Sequence, residues 1–136
     1  AENVFQYGSH GSTFGGNPLA CAVARVVLKK LQTKTLQKNI RERGVQLTSA
    51  LASINNRHGV FCEIRGRGLM IGAELAEHYK GKAGDITEAA RKHGVLVLQA
   101  GPNVLRFLPP LTITEKEMKE GMKRLEQAIA NYLSAK

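Results

Sequence analysis

The sequence predicts an α+β fold, a small antiparallel-type sheet covered by helices and preceded by one long helix. Three observations predict it. Apolar residues recur at spacings of three and four over residues 18–55, the pattern then turns strand-like from Val60 to Leu75, and short helical and strand patterns alternate from there to the end. In the first helix, Pro18 to Leu31, the stripe is Leu19, Ala22, Val23, Val26, Val27 and Leu31. Asn17 is its N-cap, Pro18 takes the first helical position, and Lys29 and Lys30 close the last turn where cations suit the dipole. A second helix, about Leu36 to Asn55, carries Ile40, Leu47, Leu51 and Ile54 on one face despite the interior Gly44, and Asn56 to Gly59 ends it.

Strands are predicted over Val60 to Arg65 and Leu69 to Leu75, joined across Gly66-Arg67-Gly68 as a hairpin. Asp85 to His93 reads as a helix capped by Asp85. Val95 to Leu98 and Val104 to Leu108 read as short strands around Ala100-Gly-Pro-Asn103, and Pro109-Pro110 stops the sheet. Thr114-Glu-Lys-Glu117 is a capping box, after which Met118, Met122, Leu125, Ile129 and Leu133 form the stripe of a final amphipathic helix.

A chain of 136 residues, 43% hydrophobic, is globular and large enough for one domain with an appendage. Its net charge of +9 raises nucleic acid as a partner, but the cations are spread along the chain and interleaved with acids, and aromatic residues are few, so none is expected. No apolar run reaches the roughly 18–20 residues of a membrane span, and the first residues lack the pattern of a signal peptide, so a cytoplasmic protein without a membrane partner is expected. Cys21 and Cys62 form no Cys-x-x-Cys or Cys/His cluster, which predicts two buried, reduced thiols and no metal site.

The richest chemistry lies in Gly8-Ser-His-Gly-Ser-Thr-Phe-Gly-Gly-Asn-Pro, where a glycine-rich loop bearing hydroxyls runs into a capped helix. Gly8, Gly11, Gly15 and Gly16 let the backbone approach a ligand, and Ser9, Ser12 and Thr13 offer donors to a phosphate or carboxylate. The pattern is neither a P-loop nor a dinucleotide fingerprint. Arg106 is the second candidate, because a lone guanidinium inside the apolar strand Val104 to Leu108 calls for a bidentate partner or for an edge strand that turns it to water. His10 has no partner at a triad spacing and is assigned to supporting the loop. Arg65 and Arg67, with His58, His78 and His93, are read as surface residues.

The loop resembles the segment downstream of the cofactor lysine in class III aminotransferases that use pyridoxal phosphate (PLP). The likeness continues in order through Ile64-Arg-Gly-Arg-Gly-Leu-Met-Ile-Gly-Ala-Glu-Leu75, Gly94-Val-Leu-Val-Leu-Gln-Ala-Gly101 and Val104-Leu-Arg-Phe-Leu-Pro-Pro-Leu-Thr-Ile-Thr114. Within the family, the run Gly-Ala-Glu-Leu, then Tyr79-Lys-Gly81 and Gln99-Ala-Gly-Pro-Asn-Val104, is most similar to the acetylornithine and succinylornithine aminotransferase branch. Ornithine and 4-aminobutyrate aminotransferases share the general motifs and fit these joints less well.

The resemblance implies the C-terminal part of a homodimeric fold-type I PLP enzyme that moves the δ-amino group of an N-acylornithine to 2-oxoglutarate in arginine metabolism. Residues 1–33 would then be a remnant of the large cofactor domain with its interdomain helix, leaving apolar surface exposed, and residues 34–136 the small C-terminal domain. Thr13 would reach the PLP phosphate across the dimer interface, Ser12 would touch the acylated substrate, and Arg106 would pair with a substrate carboxylate. No lysine stands between Ala1 and Lys29. The lysine that forms the Schiff base in this family is therefore missing, this chain carries no catalytic residue of its own, and it is expected to be inactive alone. A stand-alone α+β module holding a small anion at the Ser-Thr loop is the alternative from another class.

Overall fold

Asn17 starts the first helix as its sequence position predicts. Its side-chain oxygen accepts from the Ala20 N–H at 2.9 Å while its amide donates to the Phe14 carbonyl at 2.6 Å, so one side chain fixes both the turn and the helix. The structure is a computed structural model and describes residues 7–135. The chain divides between Lys34 and Thr35 into two units.

The first unit holds the loop and helix α1, Pro18–Leu31, which buries none of its residues; Leu19, Val23, Val26, Val27 and Leu28 are all exposed. The second unit begins at the second residue of α2, Lys34–His58. It continues through β1, Phe61–Arg67; β2, Met70–Leu75; a single 3₁₀ turn, Glu77–Tyr79; α3, Ala83–Lys92; β3, Leu98–Gln99; β4, Val104–Phe107; and α4, Glu115–Ser134. The four strands form one sheet in the order β1-β2-β4-β3, and every neighbouring pair is antiparallel.

One face of this sheet is the core. Ile71, Ala73 and Leu75 of β2 and Leu105 and Phe107 of β4 point into it and are buried with Leu47, Leu51 and Ile54 of α2, Ile86 and Ala90 of α3, and Met118, Met122, Leu125 and Ile129 of α4. The alternate strand residues lie on the opposite face, Met70 and Arg106 exposed and Gly72, Glu74 and Val104 half-buried. The period-two alternation thus separates a packed face from an open one.

Several elements differ from the sequence expectation for visible reasons. The hairpin turn is Gly68-Leu69 rather than Gly66 to Gly68, because Arg67 still pairs with Met70. Gly68, with φ +58°, supplies the positive φ that a type II′ turn needs at its first central position. Gly44 is tolerated inside α2 because the hairpin crosses there: a Cβ at Gly44 would lie 2.5 Å from the Gly68 carbonyl oxygen. Helix α3 begins at Ala83, two residues early, since Ala83 and Ile86 are core residues. Asp85 is therefore not its cap; it sits in the first turn, 3.4 Å from Lys82 Nζ, and accepts from the Tyr132 hydroxyl at 3.3 Å. Strand β3 is only Leu98–Gln99, and Val95 instead donates its N–H to the Ala90 carbonyl at the end of α3.

Both cysteines are free and exposed rather than buried. Cys21 lies on the exposed helix α1, and Cys62 sits where the β1 register shifts between Phe61 and Glu63, its thiol donating toward the Leu75 carbonyl at 3.4 Å. His93 is more than a surface residue: Nδ1 lies 2.8 Å from the Ala89 carbonyl and Nε2 lies 2.9 Å from the Asn131 amide, tying α3 to α4. Among the described residues there is no helix long and apolar enough to cross a membrane, and no group of three or more His, Cys, Asp or Glu placed to hold a metal.

The capping box forms as the sequence predicts, with the Thr114 hydroxyl accepting from the Glu117 N–H and Glu117 accepting from the Thr114 N–H at 2.8 Å. Those bonds, the Thr114 hydroxyl first, hold the Glu117 carboxyl below its ordinary range. A depressed carboxylate stabilises the fold above its unfolded pKa and loses that contribution as pH falls through the folded value. Thr114→Ala is expected to lower stability by about 1 kcal/mol. It should also flatten the stability loss on acidification, both read from urea unfolding across the carboxylate pH range.

Candidate functional site

The two candidate regions fall in different units, the Ser-Thr loop in the first and Arg106 in the second. In the loop, the turn Ser12 to Gly15 is closed by the Gly15 N–H on the Ser12 carbonyl at 3.3 Å. Gly15 approaches so closely that a Cβ there would lie 2.8 Å from Ser12 Oγ. Asn17 locks the far side through the Phe14 carbonyl. These bonds hold the turn without the hydroxyls: the side chains of Ser12 and Thr13 are exposed and make no hydrogen bond among the described residues. Among the described residues, the Thr13 hydroxyl takes no part in holding the turn. Two donors beside a helix N-terminus match what a phosphate dianion accepts. His10 is exposed in the same loop and holds an interaction of its own.

Arg106 lies on β4 between β2 and β3, an interior strand rather than an edge. It nevertheless faces outward, exposed, because its neighbours Leu105 and Phe107 take the core side. Its cross-strand partners are Gly72 on β2 and Leu98 on β3. Arg106 makes no hydrogen bond or ion pair among the described residues, so its five donors are available to a planar carboxylate. It also lines an apolar cleft of about 400 Å³ between the β3–β4 edge and α4, where the other charged residue is Glu117.

The next guanidinium along that row is not available. Arg65, opposite Gly72 on β1, donates to Glu63 at 2.5 Å and to Glu74 at 2.6 Å. The Glu74 hydrogen bond, followed by the charge of Glu63, holds Arg65 above its ordinary pKa. Arg65 is at the surface as the sequence reading has it, but it is engaged by two carboxylates, which that reading missed. The signal was present: in a β1–β2 hairpin Glu63 stands opposite Glu74, and two facing carboxylates call for a cation between them.

A family model for class III aminotransferases matches residues 1–129. The chain belongs to that family. Among its relatives, this class III chain is 51% identical over 131 residues to the acetylornithine aminotransferase of Xanthomonas campestris pv. campestris, covering 96% of the chain and 32% of the relative. It is 52% identical over 127 residues to the succinylornithine transaminase of Yersinia pseudotuberculosis, covering 93% of the chain and 31% of that relative. The crystal structure of N-acetylornithine aminotransferase from Stenotrophomonas maltophilia superposes with a TM-score of 0.86 at 51% identity, covering 90% of this chain and 34% of that one. The chain thus spans about a third of the length of the relatives it matches, and its α+β sheet with helices is the architecture found in that portion of the solved aminotransferase.

Proposed function

We propose that this chain is the C-terminal part of a homodimeric, cytoplasmic, PLP-dependent acylornithine aminotransferase, which moves the δ-amino group of an N-acylornithine to 2-oxoglutarate. The observation that carries the reading is the outward-facing Arg106, unpartnered among the described residues, in a chain about half identical to acetylornithine and succinylornithine aminotransferases. PLP, when bound, supplies the electron sink for amine transfer. The residues of this chain would position and bind around it.

Thr13 and Ser12 fit such a group because their hydroxyls are exposed and bond no described residue, while the turn that carries them is fixed by other bonds. Thr13 would donate to the cofactor phosphate of the partner subunit, and Ser12 to the acylated substrate. Arg106 would take the α-carboxylate of the amino donor or of 2-oxoglutarate, fixing the substrate in one orientation. No lysine stands among residues 1–28, so the residue that would hold the cofactor covalently is not one of them. Residues 1–33 are read as belonging to the cofactor domain and its connecting helix, and residues 34–136 as the small domain.

The full-length protein carrying this sequence, loaded with PLP, is expected to convert 2-oxoglutarate to glutamate with N-acetylornithine or N-succinylornithine as donor. Residues 1–136 alone should show no turnover. Turnover with free ornithine or 4-aminobutyrate and none with either acylated donor would overturn the substrate assignment. Activity of the short chain would overturn the account of the missing lysine. A hydrogen bond to a charged acceptor is worth about 1.5–3 kcal/mol. Thr13→Val is therefore expected to weaken PLP retention by about ten- to a hundredfold, measured by cofactor release on dialysis.

A further inference from the structure

Gly72 stands in the middle of β2, a place where glycine weakens a strand and where a β-branched residue would pack better. Glycine is usually kept in a strand because the backbone takes a positive φ or because another atom crowds the Cβ position. Neither holds here. Gly72 is not among the positive-φ glycines, and a Cβ would find Val104 Cγ1 at 3.4 Å and the Arg65 carbonyl at 3.9 Å, which is ordinary contact. Gly44 and Gly66, by contrast, would each drive a Cβ into backbone.

What the bare position does is visible in the register. Arg65, Gly72, Arg106 and Leu98 form one row across all four strands on the open face. Side chains directly opposite one another in such a row stand about 4.5–5.5 Å apart at their Cβ atoms. Any side chain at Gly72 would therefore rise beside the base of Arg106. On the far side of the gap Arg65 is engaged by Glu63 and Glu74, so the open position adjoins one occupied guanidinium and one unoccupied one. We infer that Gly72 is a specificity-determining position: its missing side chain keeps clear the lane through which a substrate carboxylate reaches Arg106 in bidentate fashion.

The inference rests on the proposed carboxylate role of Arg106, and the experiment separates the two. In the full-length, PLP-loaded protein at saturating amino donor, Gly72→Val is expected to raise KM for 2-oxoglutarate about tenfold or more, with kcat within about twofold and the thermal midpoint unchanged or higher. Gly72→Ala, for which the structure has room, should raise it about threefold. Arg106→Gln is the control for the underlying role. An Arg106→Gln defect in KM together with unaltered KM in both Gly72 variants would overturn the lane and leave the role of Arg106 standing. An unaltered KM in Arg106→Gln would overturn both. Loss of folding in Gly72→Ala would show that the glycine serves the backbone and would likewise overturn the lane.

Discussion

Arg106→Gln is expected to lower kcat/KM for 2-oxoglutarate by about a hundredfold, with the unfolding midpoint unchanged. The two halves of that result come from one fact about β4. Arg106 touches no other described residue by hydrogen bond or ion pair, so its removal breaks nothing in the folded chain. Its neighbours Leu105 and Phe107 keep the strand in the core regardless. The loss therefore falls on the ligand. A bidentate guanidinium–carboxylate pair supplies two charge-assisted hydrogen bonds, and their loss at about 3 kcal/mol corresponds to roughly a hundredfold. Arg106→Lys should recover only part of the rate, because an ammonium keeps the charge and loses the planar fork. Steady-state kinetics on the full-length protein check this, and a midpoint lowered in step with activity would mean that Arg106 serves the fold instead.

Much of this was legible in the sequence, and the part that was not has a common cause. Helical stripes and caps are local patterns, so α1, α2 and α4 stand close to where Asn17, Ile40 to Ile54 and the box Thr114 to Glu117 put them. Arg106 stood out because a guanidinium between apolar neighbours is conspicuous. Its strand nonetheless proved interior, which no local pattern could reveal, since strand order is set by pairing between distant segments. The same holds for Cys62. Alternation alone does not locate a register shift, and the shift leaves its thiol at the surface. Arg65 is the instructive case, a residue that looks solvated in one dimension and bridges two carboxylates once β1 and β2 are laid side by side.

Pairing also decides the glycines, and it gives the largest expected effect on stability. Gly66 lies in β1 opposite Ile71 with φ +151°, a region that L side chains rarely adopt. A Cβ there would fall well inside contact of the Met70 carbonyl oxygen and lie 2.8 Å from Ile71 Cα, both of them backbone atoms that cannot turn aside. Gly66→Ala thus combines backbone strain of about 1–3 kcal/mol with an overpacking cost of about 1–3 kcal/mol. A loss of about 3–5 kcal/mol is expected, a large share of the 5–15 kcal/mol that holds a typical domain together. Gly44→Ala sharpens the test. Helix propensity alone would make it stabilising by about 1 kcal/mol. The Gly68 carbonyl oxygen 2.5 Å from the added Cβ should reverse that sign. Urea unfolding of the two variants beside Gly72→Ala should give a severe loss, a moderate loss and almost none. Equal behaviour of all three would mean that the hairpin does not cross α2 where Gly44 and Gly68 place it.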